Sequence, residues 1–148
     1  MAEPVPLPPP TPLHEDLLDY TPIQRSVPLA RHRAARLVAE WGQPSLAGDV
    51  AVVVSELMTN ALLHGSLRGR LIRVHLVLDH RLLRVEVSDP RAERLPRPRP
   101  VGDVDEQFGR GLQLVGALSD RWGWETRSVG KTVYAEWDLP TASLVVAR

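Results

Sequence analysis

The order of hydrophobic patterns along the chain is the feature that most restricts its fold. Two segments have apolar residues at helical spacing, from about Pro28 to Trp41 and from Leu46 to His64. Two pairs of alternating segments, typical of antiparallel hairpins, follow these helices. The order of helices and hairpins predicts an α+β fold, a two-layer sandwich. Its sheet is mixed but mostly antiparallel, and helices cover one face of that sheet.

Local signals predict the ends of the first helix and the buried stripe of the second. Ser26 is the predicted N-cap of the first helix, with Pro28 in the first turn, where a missing N–H costs little. Gly42 and Pro44 end this helix. In the second helix the predicted buried stripe consists of Val50, Val53, Val54, Leu57 and Ala61.

The strands are predicted from two-residue alternation. Residues 72–78 and 83–87 form one hairpin around Asp79 and His80. A second hairpin turns at Gly130. It pairs a strand carrying Trp122 and Trp124 with one carrying Val133, Ala135 and Trp137.

The segment between the hairpins contains a long loop and a short helix. Pro90–Phe108 is rich in proline and charge, and loops of this length are often lids or binding loops. The helix is predicted to begin at Gly109–Gly111 and to end near Leu118. Glycines at a helix start would let a phosphate approach free backbone N–H groups. A flexible helix start is the alternative interpretation.

Length and composition limit the other function classes. The 148 residues fit one domain, predicted over 21–140, between a disordered proline-rich tail (1–20) and a C-terminal tail (141–148). The 18 basic and 18 acidic residues balance, which argues against direct nucleic-acid binding through bulk charge. The absence of cysteine excludes disulfides, and no apolar run has the length of a membrane span. A cytoplasmic location without membrane attachment is therefore expected.

Glu56, Asn60 and His64 are the most informative polar residues. Glu56 and Asn60 are four residues apart and share one helix face, and His64 lies one turn further on. The pair borders the buried stripe, where carboxylate and carboxamide oxygens suit Mg²⁺. The carboxylate is also a candidate general base toward a hydroxyl. By spacing alone, a solvated polar helix edge is the more common explanation of such a pair.

Two further positions carry candidate chemistry. Asp89 ends an apolar strand, where its carboxylate can accept a hydrogen bond from the amine of adenine, or can simply begin a turn with Pro90. Gly130, Lys131 and Thr132 imitate the end of a P-loop, but Glu125 stands where that motif requires glycine, and a strand follows instead of a helix. The P-loop interpretation is rejected, and the five histidines show no zinc spacing.

The order of these motifs resembles that of the GHKL (Bergerat-fold) ATPases. Residues 55–64, Ser-Glu-Leu-Met-Thr-Asn-Ala-Leu-Leu-His, are similar to the N-box of that family. Asp89 stands where the first glycine box begins, although Arg91 and Glu93 replace its two glycines. Residues 109–112 match the second glycine box, and residues 130–132 match the final glycine–threonine element. The resemblance covers about residues 26–139.

The resemblance implies a role for each matching residue. Asn60 would ligate the Mg²⁺ that bridges the phosphates of ATP, and Glu56 would be the catalytic base. Asp89 would bind the adenine amine with support from Thr132. The remaining predicted nucleotide-binding residues are His64, at the pocket edge, and the phosphate-binding stretch of Gly109, Arg110, Gly111 and Leu112.

The most similar branch of the family implies the function. It is that of the bacterial anti-sigma-factor serine/threonine kinases, which implies transfer of the ATP γ-phosphate to a serine of a protein antagonist. The implied partners are that antagonist, a sigma factor, or both, and related kinases are often homodimers. The alternative is a non-catalytic partner-binding module with little or no nucleotide turnover, which the missing glycines after Asp89 favour.

Overall fold

The computed structural model describes residues 3–5, 11–64, 70–89, 103–126 and 130–140, without the side chains of His64 and of residues 103–110. The described elements run in the order β1, α1, a short 3₁₀ helix, α2, β2, β3, α3, β4 and β5. The three α-helices are α1 Ser26–Glu40, α2 Ala47–His64 and α3 Asp103–Leu118, and Pro44–Leu46 forms the 3₁₀ helix. The strands are β1 His14–Tyr20, β2 Ile72–Leu78, β3 Leu82–Asp89, β4 Arg121–Thr126 and β5 Lys131–Asp138.

The five strands form one sheet in the order β1-β2-β3-β5-β4, and all neighbouring pairs are antiparallel. Leu76 stands opposite Val85, which in turn stands opposite Ala135, and all three side chains are buried. Because directly opposed residues point to the same side of a sheet, these positions mark the face that the helices cover. The predicted α+β sandwich is confirmed.

The N-terminal boundary is corrected by β1. The disordered tail was predicted over residues 1–20, but His14–Tyr20 pairs along its whole length with β2. Charged partners hold this strand: Nη2 and Nε of Arg33 in α1 donate to the Asp16 carboxylate at 2.7 and 2.9 Å, and Nε of Arg73 in β2 donates to Asp19 at 2.8 Å. The proline-rich composition ends at residue 12, so the tail was predicted to extend too far. The predicted C-terminal tail, 141–148, lies outside the described residues.

Helix α1 begins differently from its prediction. Arg25 occupies the N-cap position, and Ser26 is the first helical residue, buried, with its hydroxyl donating to the carbonyl of Thr21 at 2.6 Å. The hydroxyl thus fixes the preceding turn instead of capping the helix. The predicted end holds, since Gly42 takes a φ of 90°, which favours glycine, directly after the cap residue Trp41.

Helix α2 is the core helix, packed against α1, α3 and β3. Among the described residues, one stretch, Pro44–Leu63, is long and apolar enough to cross a membrane, with a mean hydropathy of 1.5. One third of this window, 33%, is buried inside the fold. The α2 side chains in the core are Val50, Val53, Val54, Leu57 and Met58.

The sheet face opposite the helices carries a network of charged and polar side chains, here called the open-face network. It runs from Glu15 in β1 through His75, Glu86, Arg84, Glu136 and Arg121 to Asp138, and so touches all five strands. Arg84 is central, with 2.8 Å contacts to Glu86 and Glu136 and its guanidinium 4.0 Å from the ring centroid of Tyr134. Burial alone would lower the pKa of Arg84, but its hydrogen bonds to Glu136 and Glu86 outweigh this and raise it.

Candidate functional site

The candidate site lies where α2 and α3 meet. Glu56 and Asn60 lie on neighbouring turns of α2, at the edge of the buried face formed by Val53, Leu57 and their neighbours. Asn60 is 8% exposed, and Glu56 is partly exposed. The predicted position of this pair at the border of the stripe agrees with these exposures.

Gly111 of α3 packs directly onto this pair. A Cβ placed on Gly111 would lie 2.9 Å from Oε2 of Glu56 and 3.6 Å from both the oxygen and the nitrogen of the Asn60 amide. The lack of a side chain at residue 111 therefore allows α3 to approach the polar edge of α2. The structure brings Glu56, Asn60 and Gly111 together, three of the residues that the sequence predicted for the site.

The Asn60 amide has an unused donor. Its Nδ2 atom is buried and has no hydrogen-bond partner in the part of the chain that the structure describes. An unsatisfied buried donor costs about 1–3 kcal/mol. A donor left unpaired in this way is available to a ligand, an ion or an ordered water.

The predicted start of α3 is wrong. The helix begins at Asp103, so Gly109, Arg110, Gly111 and Leu112 lie in its interior instead of at its N-terminus. Acidic residues are favoured in a first helical turn, and the sequence Asp-Val-Asp-Glu at 103–106 supplies them. The predicted loop 90–108 is therefore shortened from its C-terminal end, and residues 90–102 lie outside the described residues.

This correction changes what the second glycine box offers. Free helical N–H groups are found in a first turn, which here is at 103–106, not at Gly109 or Gly111. Leu112 is partly buried and packs against the core. For residues 109–112, the structure supports one role in the site: Gly111 lets α3 approach Glu56 and Asn60 closely.

Asp89 and Thr132 lie on opposite faces of the sheet. Asp89 stands directly across from Lys131, two residues beyond the core residue Val87, and so belongs to the helix-covered face. Thr132 stands across from Ser88 on the other face, fully buried, with the two hydroxyl oxygens 2.8 Å apart. The structure thus does not bring the Thr132 side chain to Asp89. His64 ends α2, and its side chain lies outside the described residues.

Lys131 is a neighbour of Asp89 to which the sequence analysis gave no role in the site. It is the cross-strand neighbour of Asp89, and its Nζ lies 4.9 Å from the ring centroid of Trp124 in β4. The signal was present, because the alternation that buries Ala135 and Trp137 places Lys131, and not Thr132, on the helix-covered face.

A comparison with protein families bears on this geometry. The histidine kinase-like ATPase domain family matches residues 21–137. The chain belongs to this family. No curated protein gives a significant match. Histidine kinase-like ATPase domains bind ATP, usually with Mg²⁺, and the predicted GHKL-type domain is thereby supported.

The residues of this histidine kinase-like ATPase domain fit such a ligand. The buried Asn60 amide offers a donor without a partner, and the space beside Gly111 is one that a Cβ would fill. Among the described residues no cluster of three or more histidine and acidic side chains is placed to hold a metal. Mg²⁺ does not need one, since it keeps several waters and binds one or two protein oxygens together with substrate phosphates. Asn60, through its amide oxygen, is the residue that would hold it.

Gly111→Ala tests whether the close approach serves ligand binding. The added methyl group must displace the Glu56 carboxylate, the mobile end of a flexible side chain, so the fold is expected to persist. Replacing an interior helical glycine by alanine gains up to about 1 kcal/mol. We expect unchanged or higher stability in urea unfolding, with MgATP affinity lowered about tenfold or more in calorimetry.

Gly48→Ala is the matched control. It makes the same exchange in the first turn of α2, where a Cβ would meet no atom within 4 Å. We expect MgATP affinity within about twofold of the wild type, a difference of less than about 0.5 kcal/mol. Equal affinity of both variants for MgATP would remove Gly111 from the nucleotide site.

Proposed function

We propose that this protein is a regulatory serine/threonine kinase of the anti-sigma-factor kinase type, acting with MgATP on a serine of a protein antagonist. The observation that carries the proposal is the junction of Glu56, Asn60 and Gly111. It places a partly exposed carboxylate beside a buried carboxamide whose donor has no partner among the described residues. One group is suited to accept a proton, and the other to hold a metal-bound phosphate.

The chemistry requires one bond to form and one to break. The partner's serine oxygen attacks the γ-phosphorus of ATP, while the bond from that phosphorus to the β,γ-bridging oxygen breaks and ADP leaves. The Glu56 carboxylate accepts the serine proton, and the Asn60 amide holds the phosphates in position. Bound Mg²⁺ supplies charge neutralisation. Partial exposure of Glu56 leaves its carboxylate within reach of a group on another protein.

A non-catalytic partner-binding module is the second candidate. The observation in its favour is the replacement of the two expected glycines by Arg91 and Glu93, which follow Asp89 outside the described residues. Side chains there restrict the backbone angles and the close approach that glycine permits. Such a module would bind the same class of partner and leave the nucleotide unhydrolysed.

Glu56→Gln separates the two candidates. If Glu56 is the base, the amide variant binds MgATP within about threefold of the wild type, a change of less than about 1 kcal/mol. It transfers phosphate about 10²–10⁴-fold more slowly, because general-base catalysis contributes that much. The assay uses radiolabelled ATP and the partner protein recovered by co-purification. Glu40→Gln, on the exposed side of α1, is the control.

Transfer by Glu56→Gln at the wild-type rate would remove Glu56 as the base. Transfer by neither protein to a co-purified partner that binds tightly would instead support the non-catalytic module.

A further inference from the structure

Lys131 lies at the end of a strand, next to an acidic residue of the neighbouring strand. It is the only lysine, and it stands directly across from Asp89, at the point where β3 ends and β5 begins. Gly130, the residue before Lys131, has a φ of 94°, a backbone conformation that favours glycine and is typical of turns. A carboxylate and an ammonium group are therefore fixed side by side on the helix-covered face. Cβ atoms of directly opposed residues are about 4.5–5.5 Å apart.

The packing of α3 against β4 indicates where Lys131 lies, along the direction of the strands, relative to the junction of α2 and α3. Two residues, Ser119 and Asp120, join α3 to β4, so the helix and the strand run in opposite directions. Gly116 of α3 lies against the Trp122 ring, with a Cβ there only 3.0 Å from Nε1. This contact relates the helix to the strand.

Starting from the contact between Gly116 and Trp122, distances along α3 and β4 follow from the rise per residue of a helix and of a strand. Gly111 is five residues nearer the start of α3, about 7.5 Å along the helix axis at 1.5 Å per residue. Trp124 is two residues further along β4, about 7 Å at 3.4 Å per residue. Gly111, and with it Asn60, thus lies at the level of Trp124, whose ring is contacted by Lys131. Lys131 contacts that ring from β5, the strand between β3 and β4, so these distances put it at the same level of the sheet as the junction.

We propose that Lys131 contacts the nucleobase, and that with Asp89 it reads the polar edge of adenine. The Asp89 carboxylate accepts a hydrogen bond from the exocyclic amine, and the Lys131 ammonium donates to the adjacent ring nitrogen. Trp124, 55% exposed, borders the same place with an aromatic surface. The ammonium group has three N–H donors, so it retains its contact with the Trp124 ring while donating to a base. This proposal rests on the proposed nucleotide site.

The test separates contact with the base from contact with the phosphates. Wild type and Lys131→Met are titrated with MgATP, adenosine and inorganic tripolyphosphate with Mg²⁺. Because the variant loses a charge-assisted hydrogen bond to the base, MgATP and adenosine are expected to bind it about tenfold more weakly. Tripolyphosphate is expected to bind both proteins equally. Lys131→Arg, which keeps a cationic donor, should recover part of the loss.

A second measurement needs no variant. Because Lys131 is the only lysine, an amine-acylating reagent modifies this side chain and the α-amino group at the N-terminus. Saturating adenosine is expected to slow acylation of Lys131 at least about fivefold, as followed by mass spectrometry. The rate at the α-amino group, which serves as internal control, should not change.

Three results would overturn the assignment of Lys131. They are equal loss of tripolyphosphate and MgATP affinity in Lys131→Met, an unchanged adenosine affinity, and an unprotected Lys131 at saturating adenosine. In each of these cases wild-type MgATP binding would still stand. If the wild type bound none of the three ligands, the proposed nucleotide function itself would fail together with the assignment.

Discussion

Asn60→Leu is expected to weaken MgATP binding strongly while making the ligand-free protein more stable. Leucine is similar in size to asparagine and removes a buried donor that has no partner among the described residues. Because Asn60 is only 8% exposed, the leucine side chain also adds apolar contact. Relief of the unsatisfied donor is worth about 1–3 kcal/mol, so we expect the free energy of unfolding to rise by about 1–2 kcal/mol. The lost metal and phosphate contacts should weaken MgATP binding at least about thirtyfold, roughly 2 kcal/mol.

The two effects of Asn60→Leu must occur together. Urea unfolding gives the stability, and calorimetric titration gives the affinity. Val52→Ala, at an exposed position on the same helix, controls for substitution in α2 and should leave affinity within about twofold. A variant that loses stability and retains MgATP would show that the Asn60 amide serves the fold and not a ligand.

Arg84→Met is expected to lower the free energy of unfolding by about 2–3 kcal/mol. The side chain holds Glu86 and Glu136, whose side chains are 12% and 15% exposed, at 2.8 Å each, and also stacks on Tyr134. Without the guanidinium group, two nearly buried carboxylates lose their central cation. Breaking a fully buried pair costs about 3–5 kcal/mol, and the 23% exposure of Arg84 reduces this figure.

Arg36→Met is the control for the loss of an arginine. Its ion pair with Glu40 spans 3.6 Å between side chains that are 58% and 55% exposed. Exposed pairs of this kind contribute about 0.3–0.5 kcal/mol. Urea unfolding followed by tryptophan fluorescence measures both variants. Equal stability of Arg84→Met and the wild type would show that the open-face network contributes nothing to folding.

Much of the fold was predictable because it depends on periodicity. Apolar residues recur at every second position of 72–78, so the strand and its buried face could be predicted directly, although Val77 adds an apolar residue on the other face. The apolar stripe of α2 placed that helix to within one residue. The strand β1 was missed because Glu15, Asp16 and Asp19 obscure any apolar alternation. Their partners, His75, Arg33 and Arg73, lie on other elements, so the reason for this strand is tertiary.

The candidate site was predictable in part for a similar reason. Glu56 and Asn60 are close because helical geometry alone makes them neighbours. That Gly111 contacts them depends on how α3 packs, and the sequence instead suggested that this glycine begins the helix. The pairing of Asp89 with Lys131 depends on strand register, where a shift of one residue exchanges Lys131 for Thr132.

The central claim is that the junction of Glu56, Asn60 and Gly111 binds a magnesium–nucleotide complex. Its most direct test is a calorimetric titration of the wild-type protein with ATP, once with Mg²⁺ and once with EDTA. We predict saturable binding of one nucleotide per chain at millimolar or lower concentration, weakened at least about tenfold when Mg²⁺ is removed. Absence of heat with ATP and with ADP, in the presence of Mg²⁺ and at temperatures chosen to avoid a zero binding enthalpy, would contradict the account.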